Sequence, residues 1–373
     1  MKILVVLGTR PEAIKMAPVI LEARKRGVET IVCVTAQHRE MLDQVLGLFA
    51  IQPEIDLDLM EPDQTLASLT ARALLALDKV LADVAPDWVL VQGDTTTAMV
   101  AALAAFYRKI PVGHIEAGLR TGDLARPFPE ELNRRLADAV SGRHFLPTPQ
   151  ARENLVAEGF ASETMAVTGN TVVDALQWVR RQPAVATAAL GLPEFGASAR
   201  LVLVTAHRRE SFGAGMQSIA RALVQIVDQN PDVQMVYPLH RNPNVRRVME
   251  EALGAVERIH LLPPLDYLPF VQLMAGATLI LSDSGGVQEE APSLGVPALV
   301  LRETTERPEA VAAGAVQLVG LDEETIVREA NILLQDPAAH QMMAVAVNPY
   351  GDGQASARIV SILLDEPWAE FRP

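Results

Sequence analysis

Short apolar runs alternate with longer amphipathic stretches along the whole chain, and this alternation limits the possible folds more than any other feature. Strands that alternate with helices are typical of parallel α/β sheets, because parallel neighbours need a long crossover connection. The pattern restarts past the middle of the chain, which predicts two doubly wound, Rossmann-like α/β domains. We expect strands at residues 3–7, 30–35, 88–91, 112–115 and 144–146, and again at 201–205, 233–236, 259–262, 278–281 and 298–301.

The length of 373 residues also favours two domains, since single cores rarely grow beyond about 250–300 residues. Two segments resemble linkers: residues 182–199 lack clear periodicity, and residues 167–170 contain a Gly-Asn pair. We place the boundary at the earlier segment, which gives domains at 1–168 and 169–353. Residues 354–373 contain a last helix that we expect to pack back on the first domain.

The balance of charge and the cysteine count exclude several classes of protein. The chain has 32 Lys and Arg residues against 46 Asp and Glu residues, so its net charge of −14 argues against a nucleic-acid partner. Cys33 is the only cysteine, which excludes a disulfide framework and a thiolate zinc site. The N-terminus lacks a signal-peptide core and no apolar run could span a bilayer, so we expect a cytoplasmic protein with no membrane partner.

The turn after the predicted strand at 278–281 has the composition of a phosphate cradle. Ser284, Gly285 and Gly286 open a predicted helix, whose free N–H groups and dipole favour a bound diphosphate. Glu290 lies early in that helix, where a carboxylate could accept hydrogen bonds from ribose hydroxyls. The turn alone fits an ordinary capped helix equally well.

Three carboxylates follow neighbouring parts of the first predicted sheet. Asp94 comes directly after one strand, Glu116 follows the next, and Glu130 lies in the polar stretch that comes after them. Asp94 by itself could be a helix cap, but three acids at successive carboxyl-edge loops exceed what capping requires. Closely placed acids can divide general acid and general base roles between them.

Positive charge follows the first strand, where Arg10 and Lys15 lie in or just before a helix start. The fingerprint G-x-G-x-x-G is missing from this turn, so NAD is disfavoured. The sequence also lacks a P-loop, an H-E-x-x-H motif and a G-x-S-x-G elbow. Asp56 and Asp58 have the D-x-D spacing of metal-dependent sugar transferases, yet we interpret this isolated acidic loop as surface charge.

A second basic cluster follows the strand at 201–205, where His207, Arg208 and Arg209 concentrate charge as a bound diphosphate would require. His240 repeats this theme after the next strand, and Arg307 contributes to a polar rim after the last predicted strand.

The motifs resemble the non-hydrolysing UDP-N-acetylglucosamine 2-epimerase family across nearly the whole chain. The matching stretches are GTRPE at 8–12, QGDT at 92–95, HIEAGLRT at 114–121, PEELNR at 129–134, HRRE at 207–210 and SGGVQEE at 284–290. The resemblance implies a fold of the glycosyltransferase-B type with the nucleotide on the C-terminal domain and the sugar in the interdomain cleft. It also implies a homodimer that uses neither a metal nor another cofactor.

Site residues carry over by the same resemblance. It makes Asp94, Glu116 and Glu130 the acid/base carboxylates, while His207 would stabilise the departing diphosphate or assist proton transfer. Further substrate-binding residues would be Arg10, Lys15, Arg134, Arg209, Ser284, Gly285, Gly286, Glu290 and Arg307. A second UDP-N-acetylglucosamine, acting as an activator, would contact Gln37, Arg72, Glu131, Arg208 and His240, although Glu40 stands where activator-dependent members have an amide.

Other functions compete with an epimerase that interconverts UDP-N-acetylglucosamine and UDP-N-acetylmannosamine. A hydrolysing relative would release UDP and free N-acetylmannosamine, and a glycosyltransferase would pass the sugar to an acceptor. A nucleotide-sugar-binding regulator would carry out no reaction, but it would have no use for three clustered carboxylates.

Overall fold

The computed structural model describes residues 1–35, 39–61, 64–196 and 198–373. The chain divides into two compact units. The first unit contains Met1–Trp178 and Tyr350–Pro373, and the second contains Val179–Pro349.

Each unit is built on one parallel sheet. The first sheet has the order β3-β2-β1-β4-β5-β6-β7, and the second has the order β10-β9-β8-β11-β12-β13. The strands are β1 Lys2–Leu7, β2 Glu29–Val34, β3 Ile55–Asp56, β4 Trp88–Gln92, β5 Val112–Ile115, β6 Arg143–Leu146, β7 Met165–Val167, β8 Arg200–Thr205, β9 Val233–Pro238, β10 Ile259–Leu262, β11 Leu279–Ser282, β12 Ala298–Val300 and β13 Val316–Leu318.

Helices connect these strands, and the last one follows the second sheet. Over the described residues they are α1 Arg10–Lys25, α2 Arg39–Leu48, α3 Leu66–Val84, α4 Thr96–Tyr107, α5 Glu130–Val140, α6 Pro149–Ala157, α7 Thr171–Arg180, α8 Ala214–Gln229, α9 Pro243–Leu253, α10 Tyr267–Ala275, α11 Gly285–Leu294, α12 Pro308–Ala312, α13 Glu323–Gln335, α14 Pro337–Ala344 and α15 Ala355–Leu363. None of these helices is both long enough and apolar enough to cross a bilayer.

Each sheet is covered by helices because its strands are apolar and its helices have one apolar face. Residues Ile3 to Leu7 of β1 are almost completely buried, as expected of a central parallel strand with helices on both faces. Helix α3 buries Leu69, Ala73 and Leu77, which recur at intervals of four residues. In the second unit the largest fully buried side chain is Tyr237 of β9, whose hydroxyl donates to the carbonyl of Ala206 at 2.8 Å.

The predicted α/β class with two doubly wound domains is confirmed. Each of the expected strands is present, with ends that differ by only a few residues. Among the described residues the sequence analysis missed β3, β7 and β13, and all of them lie at a sheet edge. They contain only two or three residues, fewer than the four or more that make an apolar or alternating pattern recognisable as a strand.

The division between the units differs from the expected boundary. It falls after Trp178 rather than after residue 168, and the chain returns to the first unit at Tyr350 rather than at residue 354. Hydrogen bonds explain both shifts: the Asn170 backbone N–H donates to the Tyr350 carbonyl at 2.6 Å, and the Gln177 amide donates to the Asp352 carbonyl at 3.2 Å. The final helix α15 belongs to the first unit, where it contacts α1.

Candidate active site

Many of the predicted site residues lie in loops at the carboxyl ends of the central strands, and others lie in helices that follow these loops. The strand order reverses between β1 and β4 in the first sheet and between β8 and β11 in the second. Ligands of open α/β sheets bind at such reversal points, because the two flanking loops turn away from each other and leave a crevice. Arg10 and Asp94 flank the first reversal point, and His207 and Ser284 flank the second.

Glu12 joins the two loops at the first reversal point. Its Oε2 accepts the backbone N–H groups of Gly8 at 3.0 Å and Thr9 at 2.6 Å, while its Oε1 accepts the Thr95 hydroxyl at 2.7 Å. Burial raises the pKa of Glu12, although these hydrogen bonds oppose the effect. The sequence analysis missed this role, which the T-x-x-E capping-box spacing of Thr9 and Glu12 could have signalled.

Glu116 directly follows β5 and has an unusual backbone. Its φ of 64° lies in the left-handed region, and its N–H donates to the Phe145 carbonyl at 3.0 Å. Its side chain is only 9% exposed and forms a salt bridge with Lys15. The Gln92 amide also donates to Glu116 Oε2 at 3.0 Å. The structure therefore pairs Lys15, an expected substrate ligand, with an expected acid/base group.

Asp94 is held by helix α5. Its Oδ2 forms a salt bridge with Arg134, and its carbonyl accepts the Asn133 amide at 3.0 Å. Glu130 is the first residue of the same helix and is half-buried. The three predicted carboxylates thus follow β4, follow β5 and begin α5, and α5 contacts β5. Arg10, the first residue of α1, is also half-buried.

Asp283 organises the second reversal point, and the sequence analysis did not identify it. It is fully buried, and its Oδ2 accepts the backbone N–H groups of His207 at 2.6 Å and Arg208 at 2.7 Å. His207 Nδ1 lies 3.1 Å from Asp283 Oδ1. Burial acts to raise the pKa of Asp283, but the adjacent His207 and the backbone N–H groups of His207 and Arg208 outweigh it and hold the pKa below its usual value. The aspartate therefore fixes the basic loop after β8 and orients the imidazole.

His207 is partly open to solvent and stacks on His240. Its side chain is 37% exposed, and the two ring centroids lie 5.2 Å apart with an angle of 12° between the planes. We expected His240 to bind an activator. Because its ring stacks on His207, it contacts an expected catalytic residue.

The predicted cradle begins helix α11, with Ser284 at the N-cap and Gly285 as the first helical residue. A Cβ on Gly285 would lie 3.0 Å from the Arg307 guanidinium carbon, so glycine leaves room for this cation at the helix start. Arg307 Nε donates to Glu289 Oε1 at 2.7 Å. Glu290 is buried and accepts the Tyr267 hydroxyl at 2.7 Å. Positive charge beside a helix N-terminus suits a phosphate group.

An ion-pair network around the buried Arg302, near this cradle, was also missed. Arg302 is 5% exposed and donates to Glu210 Oε1 at 2.6 Å and to Glu306 Oε2 at 3.0 Å. Burial alone would raise the pKa of Glu306, but its hydrogen bond with Arg302 lowers the pKa to about 2. The network links the loop after β8 to the loop after β12.

The expected activator residues have mixed surroundings. Glu131 is fully buried, and its two oxygens accept from Thr121, Gly122, Arg134 and Arg135. Arg72 donates to Glu61 Oε2 at 2.6 Å and to the Leu59 carbonyl at 3.0 Å. Arg208 Nε donates to the Asp283 carbonyl at 3.2 Å. Gln37 lies outside the described residues, as does the side chain of Arg209.

Asp56 and Asp58 both form salt bridges with the side chain of Arg39. Arg39 bonds both oxygens of Asp56, at 2.7 and 2.9 Å, and Asp58 Oδ1 at 2.9 Å. This arrangement agrees with the interpretation as surface charge. Within the described ranges, no group of three or more His, Cys, Asp and Glu side chains is arranged to hold a metal ion.

Comparison with known proteins identifies the family. The family model described as UDP-N-acetylglucosamine 2-epimerase matches residues 21–364. A curated UDP-N-acetylglucosamine 2-epimerase of Salmonella typhimurium is 55% identical over 369 residues, which cover 97% of this chain and 98% of that protein. A curated enzyme of the same name from Bacillus subtilis is 51% identical, with 98% and 95% covered.

Solved structures agree with these matches. The crystal structure of the Neisseria meningitidis UDP-GlcNAc 2-epimerase bound to UDP-GlcNAc is 51% identical, covers 98% of this chain and 100% of that one, and superposes with a TM-score of 0.90. The glycosyltransferase of kitacinnamycin is only 14% identical but has a TM-score of 0.67 over 98% of both chains, which supports the glycosyltransferase-B type of the fold. From its sequence and its structure alike, this chain belongs to the UDP-N-acetylglucosamine 2-epimerase family.

Proposed function

We propose that this chain is a non-hydrolysing epimerase that interconverts UDP-N-acetylglucosamine and UDP-N-acetylmannosamine. The observation that carries the proposal is the match to a curated 2-epimerase, which is 55% identical over 97% of this chain. The carboxylates of the first unit and the phosphate cradle of the second unit support it.

The reaction must invert C2, whose hydrogen is barely acidic because no carbonyl group neighbours it. Elimination avoids this difficulty. A base removes the C2 proton while the C1–O bond to UDP breaks, which leaves 2-acetamidoglucal and UDP. UDP then adds back at C1 while an acid protonates C2 from the opposite face. The enzyme must therefore supply a base and an acid, and it must retain both fragments.

We assign the proton transfers to the first unit, where Asp94, Glu116 and Glu130 surround the carboxyl ends of β4 and β5. Lys15 and Arg134 form salt bridges with Glu116 and Asp94, so the orientation of each carboxylate depends on a fixed cation. Positioned groups of this kind typically contribute about 10²–10⁴-fold to the rate.

We assign UDP binding mainly to the second unit. Ser284, Gly285, Gly286 and Arg307 would hold phosphate groups at the start of α11, with Glu290 on the ribose. His207 would stabilise the departing diphosphate or assist proton transfer, because it follows β8 at the second reversal point and Asp283 lies 3.1 Å from its Nδ1. Arg10 and Arg209 complete the proposed phosphate ligands.

One isotope experiment tests the reaction. The chain is incubated with UDP-N-acetylglucosamine in D₂O and followed by NMR. Epimerisation predicts deuterium at C2 together with new signals of UDP-N-acetylmannosamine. Free N-acetylmannosamine and UDP would instead identify the hydrolysing reaction. An absence of both deuterium and new sugar signals would contradict the proposal and favour a transferase or a binding protein.

We also propose that a second UDP-N-acetylglucosamine activates the enzyme through Arg72, Glu131, Arg208, His240 and Gln37. The stacking of His240 on His207 supports this idea, because a ligand bound to His240 would touch a ring that packs against a proposed catalytic residue. UDP-N-acetylmannosamine alone should then react slowly until a trace of UDP-N-acetylglucosamine is added. Simple hyperbolic kinetics without a lag would contradict it.

The remaining assignments concern the cellular setting. We propose a homodimer that acts in the cytoplasm and supplies a precursor for cell-surface polysaccharides. Exposed apolar side chains on the neighbouring helices α3, α4 and α5 support the dimer. They include Leu75, Phe106, Tyr107 and Leu136, which are 75%, 54%, 64% and 44% exposed.

A further inference from the structure

His114 of β5 connects the proposed acid/base residue Asp94 to a buried charge cluster. The ring is completely buried, with Nδ1 lying 2.6 Å from Asp138 Oδ1 and Nε2 lying 2.7 Å from the Gly93 carbonyl oxygen. Gly93 immediately precedes Asp94, so its carbonyl belongs to the peptide group that leads into the carboxylate-bearing residue.

The two acceptors define the charge of this ring. A carbonyl oxygen only accepts hydrogen bonds, so Nε2 must carry a proton. Asp138 Oδ2 accepts the Gly118 N–H at 3.4 Å and lies 2.8 Å from Arg120 Nη2. Because the adjacent guanidinium favours an ionised Asp138, Nδ1 must also carry a proton. The ring is then an imidazolium between a carboxylate and a carbonyl group.

The charged groups around the ring agree with this state. Burial acts to lower the pKa of His114, but the charge of Asp138 and the hydrogen bonds to Asp138 and Gly93 outweigh it and raise the pKa, while Arg120 opposes them. His144 of the neighbouring strand β6 bonds the Asp138 carbonyl at 3.0 Å through Nε2. Burial lowers the pKa of His144, so this second ring does not compete for the positive charge.

Helix α5 holds the same turn from the other side. Asn133 donates to the Asp94 carbonyl at 3.0 Å, Arg134 forms a salt bridge with Asp94, and Asp138 acts through His114. The Gly93 N–H donates to the Ile115 carbonyl at 2.9 Å. These contacts fix three successive peptide groups and the side chain of Asp94, and among them the hydrogen bond from His114 is the one that an imidazole donates.

We propose that His114 is a positioning residue, a buried imidazolium held by Asp138 that fixes the Gly93 carbonyl and so aims the Asp94 carboxylate. This proposal rests on the proposed function, in which Asp94 transfers a proton to or from the sugar. It predicts that loss of the Nε2–H donor of His114 misdirects Asp94 without weakening nucleotide binding, because the proposed UDP cradle belongs to the second unit.

The protonation state can be measured without turnover. In the ¹⁵N-histidine-labelled full chain at pH 8, both ring nitrogens of residue 114 should carry protons, as assigned from its backbone. In Asp138→Asn the raised pKa should fall and the ring should become neutral at this pH. A neutral His114 ring in the unmodified chain would overturn the proposal, whether or not the chain is an epimerase.

Kinetics test the positioning role. His114→Gln should lower kcat for C2 exchange by about 10²-fold with little change in KM, the size of effect expected when a catalytic group is misplaced by about 1 Å. His144→Gln is the matched control, since it removes a buried imidazole of the same cluster that does not touch the Gly93–Asp94 turn, and its kcat should stay near that of the unmodified chain. An equal loss in both variants would overturn the positioning role.

A pH profile separates positioning from a general structural defect. Asp138→Asn should lose kcat at pH 8, because a neutral ring that carries its one proton on Nδ1 has no donor for the Gly93 carbonyl. Acid restores both ring protons and should restore much of kcat. The same profile in Asp138→Asn and in the unmodified chain would overturn the proposal.

If the unmodified chain shows no C2 exchange, the proposed function fails on its own. Amide hydrogen exchange at Asp94, expected to be faster in His114→Gln than in His144→Gln, then tests the positioning directly, and equal rates would overturn it.

Discussion

Glu116 shows how single side chains are aimed in this protein. A non-glycine residue with a left-handed backbone costs about 1–3 kcal/mol and persists only where its surroundings fix it. Here the N–H groups of Glu116 and Ala117 both donate to the Phe145 carbonyl, at 3.0 and 3.2 Å, and Lys15 and Gln92 hold the carboxylate. The conformation therefore points an acidic group at the sheet edge at some cost in stability.

Replacing Asp94 by Asn should abolish turnover while UDP binding stays largely intact. The substitution keeps the shape of the side chain but removes its proton-transfer capacity, and the proposed cradle lies in the other unit. We expect a loss of at least about 10²-fold in C2 exchange, with calorimetric UDP binding unchanged. Asp43→Asn, at an exposed position of α2, is the control and should behave like the unmodified chain. Near-normal turnover of Asp94→Asn would refute the assignment.

Tyr267→Phe should weaken UDP binding without slowing the chemical step. The lost hydrogen bond to Glu290, 2.7 Å long in the structure, contributes about 1 kcal/mol, which corresponds to a roughly fivefold higher Kd. Tyr107→Phe is the matched control, because that ring is 64% exposed on α4. If Glu290 binds the ribose, uridine should show the same relative loss as UDP, and a loss confined to UDP would contradict this role.

Helix α15 illustrates how an element far along the chain is attached to the first unit. Its first N–H groups are satisfied by Asp174 of α7: Oδ2 accepts from Ala355 at 3.2 Å, and Oδ1 accepts from Ser356 N at 2.8 Å and from the Ser356 hydroxyl at 2.5 Å. Burial outweighs these hydrogen bonds and raises the pKa of Asp174 to about 6. The Asp174 carboxyl therefore stabilises the folded chain more when it is protonated than when it is ionised.

The sign of the resulting pH dependence follows from linkage. A carboxyl with a raised folded-state pKa binds its proton more tightly in the folded chain, so its contribution is complete below the unfolded pKa of 3.8 and is lost as pH rises through about 6. The unfolding free energy of the unmodified chain relative to Asp174→Asn should fall by about 2 kcal/mol between pH 4 and pH 8. Urea unfolding at several pH values measures this difference. A difference that is constant with pH, or that grows as pH rises, would contradict it.

The chain contains the same doubly wound architecture twice. The strand order reverses next to the first strand of each sheet, between β1 and β4 and between β8 and β11. Its first unit also exposes apolar side chains on α3, α4 and α5, which a stable dimer would cover. These helices cover the unit that carries the proposed acid/base residues. Dimer formation would therefore bury apolar surface of that unit.

Leu75→Glu should shift the proposed dimer towards monomer, because a carboxylate would have to be desolvated in the interface. Leu75 is 75% exposed, so the substitution should cost little in the folding of a single chain. Sedimentation equilibrium measures the change in mass. Met342→Glu places the same charge at a 72% exposed position of α14 in the second unit and should leave the oligomeric state unchanged. A Leu75→Glu variant with the mass of the unmodified chain would exclude this face as the interface.

The sequence by itself determined the α/β class with two doubly wound domains, the central strands and the loops that carry the proposed site residues. These features are encoded in short windows, since a buried parallel strand needs a continuous apolar run and a ligand loop follows directly after it. Only the tertiary structure showed which short segments form edge strands, where within α7 the two units divide, and which residue pairs with each buried charge. Lys15 meets Glu116 across 101 residues, and His114 meets Asp138. Such pairs depend on strand order, which no local pattern of residues specifies.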